Sequence, residues 1–198
     1  LVLPGWVSGE EVQSQLQAIR AELAEVKLQA AAAKIAVDQG AFNAGDNTWV
    51  ILSSLLVLGM TIPGLALFYG GLVRRKNVLN ILMQCFIIMA LISIEWVVIG
   101  YSLSFGSSKG FLAPYIGGLD WAFLRGIGIG DVSPYFISQA NARIPHLLFV
   151  MFQCMFAVIT PALIIGAFAE RIKFKGFVVF ILLWSIFVYN PIAHWVWS

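Results

Sequence analysis

Residues 145–175 read PHLLFVMFQCMFAVITPALIIGAFAERIKFK, and this stretch decides the fold class. No acidic or basic residue other than His146 occurs between Pro145 and Glu170. This length exceeds the roughly 20 apolar residues that a helix needs to cross a bilayer. The stretch then turns abruptly basic, with Arg171 followed by two lysines. It therefore predicts a membrane-spanning helix that ends at a basic boundary.

The composition extends this prediction to most of the chain. Of 198 residues, 60% are hydrophobic and only 11% are charged, whereas a soluble domain carries about 25% charged residues. Three further apolar stretches are long enough to cross a bilayer, namely 48–69, 78–101 and 176–196. We therefore predict an all-α, polytopic membrane protein with four spans. Asp46 or Asn47 can cap the first span, and a glycine-rich loop at 102–143 is expected to hold a short interfacial helix near 120–125.

The basic residues predict the orientation in the cell membrane. One cluster, Arg74 to Lys76, follows the first span, and the other, Arg171 to Lys175, follows the third. With four spans both clusters lie on the same side, and short basic loops remain in the cytoplasm. The amino terminus and residue 198 are then expected on the extracytoplasmic side.

The polar amino-terminal part is predicted to be a separate unit. Residues 10–40 carry apolar residues in a heptad pattern. Position a is occupied by Leu16, Leu23, Ala30 and Val37, and position d by Val12, Ile19, Val26 and Ala33. The pattern indicates an extracytoplasmic coiled coil, and leucine at a with isoleucine at d leans toward three or four strands. The alternative is a single amphipathic helix on the protein or membrane surface. Residues 1–9 could be the remnant of a signal peptide.

The residue pattern does not indicate an enzyme. Cys85 and Cys154 lie in apolar runs without metal-ligand spacing, which is typical of small buried hydrophobic residues. His146 and His194 lie near predicted span ends, where His194 is more readily an interfacial hydrogen-bonding residue than a proton relay. No catalytic constellation is visible, so we expect no enzyme activity and no cofactor or metal. Basic residues are too few outside the two short loops for nucleic-acid binding.

Polar and aromatic groups inside the spans are the candidates for a transport path, because polar groups there are costly and often functional. Phe152 and Phe156 are four residues apart and so share a helix face with Gln153 close by. They could form a hydrophobic gate or be ordinary packing. Trp197 could hold a cation on its indole face or belong to an aromatic belt. Glu95 could attract cations in a vestibule or be paired or hydrated near the interface.

Five ordered blocks resemble the ammonium transporters of the Amt/Mep type. They are MTIPGLALFYGGLVRRKNVLN at 60–80, WVVIGYSLSFG at 96–106, IGGLDWAFLRG at 116–126, FQCMFAVITPALIIGAFAERIKF at 152–174 and NPIAHWVW at 190–197. The resemblance covers the predicted membrane domain, residues 46–198, and excludes the coiled coil. It implies the amino-terminal part of an eleven-helix fold that forms homotrimers with one pore in each subunit.

The resemblance also implies roles for individual residues. Trp197 matches the outer site that recruits ammonium, and Phe156 matches one ring of the gate between that site and the pore. Phe152 and Gln153 match gate- and pore-flanking positions, while His146 and His194 do not match the family's pore histidines. Those histidines and the second gate ring would follow residue 198, so we expect the 198-residue chain, as a truncated domain, to be inactive alone.

The implied function is transport of ammonium or ammonia, with methylammonium as an analogue, through a hydrophobic pore in the lipid bilayer. A cytoplasmic regulatory protein is a further partner to consider. Two alternatives remain at this stage. The same fold could serve as an ammonium sensor or receptor, or the chain could be a non-transporting oligomeric scaffold.

Overall fold

The computed structural model describes residues 13, 15, 17, 19, 20, 22–27, 42–108, 111–135 and 143–198. The chain divides into two compact units, residues 1–41 and 42–198. In the first unit the described residues are helical, and Ile19, Leu23 and Val26 of the heptad pattern are exposed. The proposed signal-peptide remnant at 1–9 and the remaining heptad positions lie outside the described residues: Val12, Leu16, Ala30, Ala33 and Val37.

The described part of the second unit contains four helices long and apolar enough to cross a membrane, as the sequence predicts. Their bounds are Ala44–Leu72, Arg75–Phe105, His146–Phe168 and Phe174–Trp197. All but the third are longer than predicted. The predicted cap of the first span is wrong, because Asn43 accepts hydrogen bonds from the backbone N–H groups of Gly45 and Asp46. Asn43 takes this position because its extended backbone lets its side chain reach the unsatisfied donors of the first turn.

The first span is interrupted where the sequence places Pro63. It runs as an α-helix over Ala44–Gly59, a π-helical segment over Met60–Leu65 and an α-helix over Ala66–Leu72. Inside the π-helical segment Ile62 has extended backbone angles, φ −133° and ψ 110°. Proline disfavours the helical conformation of the residue before it, because its ring clashes with that residue. The change in direction therefore follows from the local sequence.

The second and fourth spans share a construction that the sequence pattern did not indicate. In the second span a 3-10 turn at Arg75–Asn77 leads into an α-helix over Val78–Glu95. A π-helical segment at Trp96–Gly100 and an α-helix over Tyr101–Phe105 complete it. The fourth span likewise has an α-helix over Phe174–Trp184, a π-helical segment over Ser185–Tyr189 and an α-helix over Asn190–Trp197.

The third span packs most deeply, and the second contributes a buried apolar face. The third consists of α-helices over His146–Leu163 and Ile165–Phe168. Pro161 lacks the N–H group that would bond to the Ala157 carbonyl, but the α-helix continues two residues further. Residues of the core from these two spans are Ile81, Ile88, Ile92, Trp96, Ala157, Val158 and Ala162.

The glycine-rich loop folds back onto the end of the second span. Ser102 Oγ donates to the Gly118 carbonyl at 2.8 Å and accepts from the Trp121 N–H at 3.0 Å. The Trp121 ring lies against Tyr101, with centroids 5.5 Å apart. The short helix predicted near 120–125 is a single 3-10 turn over Ala122–Leu124.

Glu170 joins the two connections at the opposite end of the spans. Its Oε1 accepts from Asn77 Nδ2 at 2.6 Å and from the Arg74 N–H at 3.1 Å. These two hydrogen bonds, with Asn77 the larger effect, hold the pKa of the Glu170 carboxyl below its usual value. The connection after the first span is thus tied to the connection after the third.

Candidate functional site

The structure brings together the three aromatic residues that the sequence singles out. Phe152 and Phe156, on the third span, have ring centroids 5.1 Å apart at an interplanar angle of 80°. Trp197, at the end of the fourth span, lies 6.2 Å from the Phe156 ring at 60°. The two phenylalanine rings meet edge to face. This geometry is favourable for aromatic pairs, because the positive edge of one ring meets the negative face of the other.

A cavity of about 280 Å³ opens beside Trp197. The residues that line it come from the third and fourth spans: Thr160, Trp184, Tyr189, Ile192, Ala193, Val196 and Trp197. Its wall is largely apolar, with the hydroxyl-bearing side chains of Thr160 and Tyr189 as exceptions. Thr160 Oγ1 donates to the Phe156 carbonyl at 2.7 Å, whereas Tyr189 Oη has no hydrogen-bond partner among the described residues. The cavity therefore offers an indole ring to a small cation, whereas Tyr189 Oη is itself buried.

Gln153 lies on the third span next to Phe152 but is turned into the protein. Only 8% of its surface is exposed, and its Oε1 has no hydrogen-bond partner in the described part of the chain. Buried amide oxygens almost always accept a hydrogen bond. Gln153 thus retains an unused acceptor within the third span, consistent with a pore-flanking role without assigning one.

Glu95 belongs to a buried polar cluster that joins the second span to the fourth. The residue is 6% exposed. Its Oε1 accepts from Asn190 Nδ2 at 2.8 Å, and its Oε2 accepts from Ser185 Oγ at 3.0 Å. Ser104 Oγ completes the cluster by donating to Asn190 Oδ1 at 3.3 Å. Of the two sequence interpretations, the structure supports the paired carboxylate and not a group open to a vestibule.

The sequence analysis overlooked Ser185 and Asn190, although each carries a polar side chain in an apolar span. Glu95 could have indicated them, because a buried charge in a membrane span needs a polar partner on a facing helix. Asn190, beside Pro191 in the fourth span, was a candidate for that partner. Pairing them required knowledge of which helices touch.

Both histidines have structural hydrogen bonds. His146 is buried, with its Nε2 2.5 Å from Tyr101 Oη. His194 has Nδ1 3.1 Å from the Ser104 carbonyl and Nε2 3.1 Å from the Ala113 carbonyl. Cys85 and Cys154 are buried free thiols. Within the described residues no three histidine, cysteine or acidic side chains cluster as metal ligands.

The family model described as "Ammonium Transporter Family" matches residues 48–198. The chain belongs to this family. It is 50% identical over 156 residues to an ammonium transporter of Bacillus subtilis, which covers 78% of this chain and 35% of that protein. It is 41% identical over 155 residues to an ammonium transporter of Aquifex aeolicus, covering 78% of this chain and 34% of the relative. The chain therefore spans about a third of the length of these curated relatives.

Solved structures of the same family share the fold. The crystal structure of Saccharomyces cerevisiae Mep2 superposes with a TM-score of 0.66 at 31% identity, covering 81% of this chain and 33% of Mep2. Candida albicans Mep2 gives a TM-score of 0.65 at 31% identity over 79% of this chain and 32% of that one. These matches, with the four apolar spans, establish a multi-pass membrane protein with the ammonium transporter fold.

Proposed function

We propose that the protein containing these spans carries ammonium or ammonia across the membrane, and that Trp197 and Phe156 form the site where the cation is first held. The observation that carries the proposal is the contact between these two rings beside the cavity, with centroids 6.2 Å apart. An indole face attracts a cation with about 0.5–2 kcal/mol.

The aromatic pair favours a route in which the charge does not cross the bilayer centre. A charged group there costs at least about 2.5–3.5 kcal/mol. Ammonium can give up its proton near the aromatic site, to water or to a base outside the four spans such as the pore histidines that the family resemblance implies, and continue as neutral ammonia through an apolar lumen. A potassium ion has no proton to lose, so the same route rejects it. In this scheme Phe156 and Phe152 act as the gate, and Gln153 flanks the path behind them.

The same proposal includes the orientation and the partners. With the basic residues near Arg74 and Arg171 in the cytoplasm, Trp197 and the amino terminus face the extracytoplasmic side. A regulatory protein would then meet the cytoplasmic connections, where Glu170 ties Arg74 and Asn77. The whole transporter is proposed to act as a homotrimer. A coiled coil at residues 10–40 would support it, because Ile19, Leu23 and Val26 remain exposed in the isolated chain.

Transport is tested in a chimera, because the pore needs helices beyond the four spans described. Residues 48–198 replace the aligned segment of the Bacillus subtilis transporter, and uptake of labelled methylammonium is measured in cells that lack their own transporters. Trp197→Ala should raise KM by about twofold to thirtyfold, the range equivalent to the cation–π energy. Phe156→Ala should reduce flux or selectivity over potassium.

Phe187→Ala is the matched control, since this aromatic side chain lies on the same span as Trp197 and is 71% exposed. It should leave uptake unchanged. Unaltered KM and selectivity in both Trp197→Ala and Phe156→Ala, at equal amounts of protein in the membrane, would refute the assigned roles. The 198-residue chain alone, reconstituted in liposomes, is expected to give no ammonium-dependent current.

A further inference from the structure

The contact between Glu95 and the fourth span is unusual in that both oxygens of one buried carboxylate bind the same neighbouring helix. Oε1 accepts from Asn190 and Oε2 accepts from Ser185. Hydrogen bonds between polar side chains on facing helices contribute about 0.6–2 kcal/mol each in membrane proteins. We call these three residues, Glu95, Ser185 and Asn190, the polar clamp.

Two π-helical segments make the clamp geometrically feasible. Ser185 and Asn190 are five residues apart, and in an α-helix of 3.6 residues per turn they would point about 140° away from each other. The fourth span is π-helical over Ser185–Tyr189, and a π-turn closes between residues five apart. Both donors can therefore face the same carboxylate. A regular α-helix would present only one of them.

The second span shows the matching adaptation. Its π-helical segment, Trp96–Gly100, begins directly after Glu95. A Cβ atom added at Gly100 would lie 2.8 Å from Glu95 Oε2 and 3.0 Å from Oε1. The carboxylate thus rests on a backbone position where only glycine leaves room. The π-helical segments of both spans and the glycine at position 100 thus all accommodate the Glu95 carboxylate, which indicates a specific role for its position.

The clamp is continuous with contacts that hold the last two turns of the fourth span. His194, four residues after Asn190, lies within hydrogen-bond distance of the Ser104 and Ala113 carbonyls. Trp195 Nε1 donates to the Tyr115 carbonyl at 2.9 Å. Trp197 follows within the same short helix, Asn190–Trp197. Movement of Asn190 would accordingly displace Trp197, because a helix of two turns moves as a rigid piece.

We propose that Glu95 is a positioning residue, which fixes the helix Asn190–Trp197 through the polar clamp and so holds the Trp197 ring beside Phe156. This inference rests on the proposed cation site at Trp197 and adds a determinant of its affinity. Glu95 acts through geometry and not by attracting cations with its charge, since it is buried and both of its oxygens are bonded.

Glutamine separates geometry from charge. In Glu95→Gln the amide oxygen can still accept from Asn190, and the amide nitrogen can donate to the Ser185 hydroxyl, which serves as donor or acceptor. Leucine fills similar space but removes both bonds. In the chimera, Glu95→Leu and Asn190→Leu should each raise KM for methylammonium by about tenfold with little change in Vmax per transporter. Glu95→Gln should remain within about twofold of the parent.

A second measurement does not depend on transport. The 198-residue chain is labelled with 5-fluorotryptophan and reconstituted in lipid nanodiscs, and Trp197→Phe identifies the ¹⁹F resonance of Trp197. This resonance should shift or broaden in Glu95→Leu and Asn190→Leu, and remain in place in Glu95→Gln. Ser93→Ala is the matched control, since Ser93 accepts from Cys154 on the third span at 3.9 Å and forms no side-chain hydrogen bond with the fourth span among the described residues.

The double variant Glu95→Leu/Asn190→Leu should lose less than the sum of the two single variants, because both remove the same Glu95–Asn190 hydrogen bond. Additive effects, or an unmoved Trp197 resonance in Glu95→Leu, overturn the positioning role. Equal losses of methylammonium affinity in Glu95→Gln and Glu95→Leu would show that the charge of Glu95 is required, and would overturn the positioning role. A chimera that moves no methylammonium while the resonance shifts as expected would instead contradict the transport proposal and leave the clamp supported.

Discussion

Substituting Gly100 by alanine measures how firmly the Glu95 carboxylate is held. The new Cβ would lie 2.8 Å from Oε2, so either the backbone absorbs the overlap or the carboxylate moves. Overpacking of this kind costs about 1–3 kcal/mol, and a lost hydrogen bond to a carboxylate costs about 1.5–3 kcal/mol. Alanine itself favours a helix over glycine by about 1 kcal/mol. We expect a net loss in unfolding free energy of about 0–2 kcal/mol.

The same substitution should change sign when the carboxylate is absent. In a Glu95→Ala background nothing opposes the new methyl group, so Gly100→Ala should stabilise by about 1 kcal/mol. The two backgrounds then differ by about 1–3 kcal/mol, which for a chain of this size corresponds to about 2–12 °C in Tm. Tm is measured by near-ultraviolet circular dichroism on the reconstituted 198-residue chain.

Gly59→Ala provides the control for helix propensity. Its added Cβ would meet nothing within 4 Å, so it should stabilise by about 1 kcal/mol in both backgrounds. Equal Tm changes for Gly100→Ala with and without Glu95 would refute the reasoning, because the carboxylate would then not lie over Gly100. A Tm loss confined to the Glu95 background would confirm the contact.

Three further predictions concern the loops and the histidine contact. Gly117→Ala should detach the glycine-rich loop and increase its proteolysis, because the added Cβ would lie 2.5 Å from the Ser102 carbonyl oxygen and 2.7 Å from that of Leu103. Tyr101→Phe leaves His146 without its partner at 2.5 Å and should lower Tm by about 2–10 °C; no change would exclude the bond. Glu170→Gln should speed hydrogen exchange of the Arg74 amide at neutral pH. Because the folded pKa of Glu170 is lowered, its contribution is present above the unfolded pKa and is lost as pH falls through the folded pKa. The difference in Arg74 amide exchange rate between the parent and Glu170→Gln, compared at each pH, should therefore shrink in acid. A difference that stays constant with pH would contradict the role of the Glu170 carboxylate.

The number and order of the spans follow from the sequence because hydropathy is a local property. A stretch of about 20 apolar residues can be recognised without knowing its neighbours. The ends of the spans were less accurate. The second span starts at Arg75 and ends at Phe105, beyond the predicted 78–101, because polar and aromatic residues at its ends find partners in the loop. Ser102, for example, bonds to Gly118 and Trp121.

The π-helical segments of the second and fourth spans could not have been predicted from the residue pattern. Their sequences, WVVIG at 96–100 and SIFVY at 185–189, have the same apolar character as the α-helical residues around them. A π-turn is retained for what it does to side chains on a neighbouring helix. Here it turns Ser185 and Asn190 toward Glu95, so its cause lies in the contact between two spans.

The aromatic site illustrates the same division between local and distant information. The contact of Phe152 with Phe156 follows from their spacing of four on one helix, and the structure contains it at 5.1 Å. The contact of Phe156 with Trp197 joins residues on different spans, and only the family resemblance indicated it. Glu95 is the intermediate case. Its burial in an apolar span demanded a partner, but the choice of Asn190 depends on a helix packing that the sequence does not encode locally. Residues that act across a helix contact are therefore the ones for which the fold was needed, and the polar clamp is one such set.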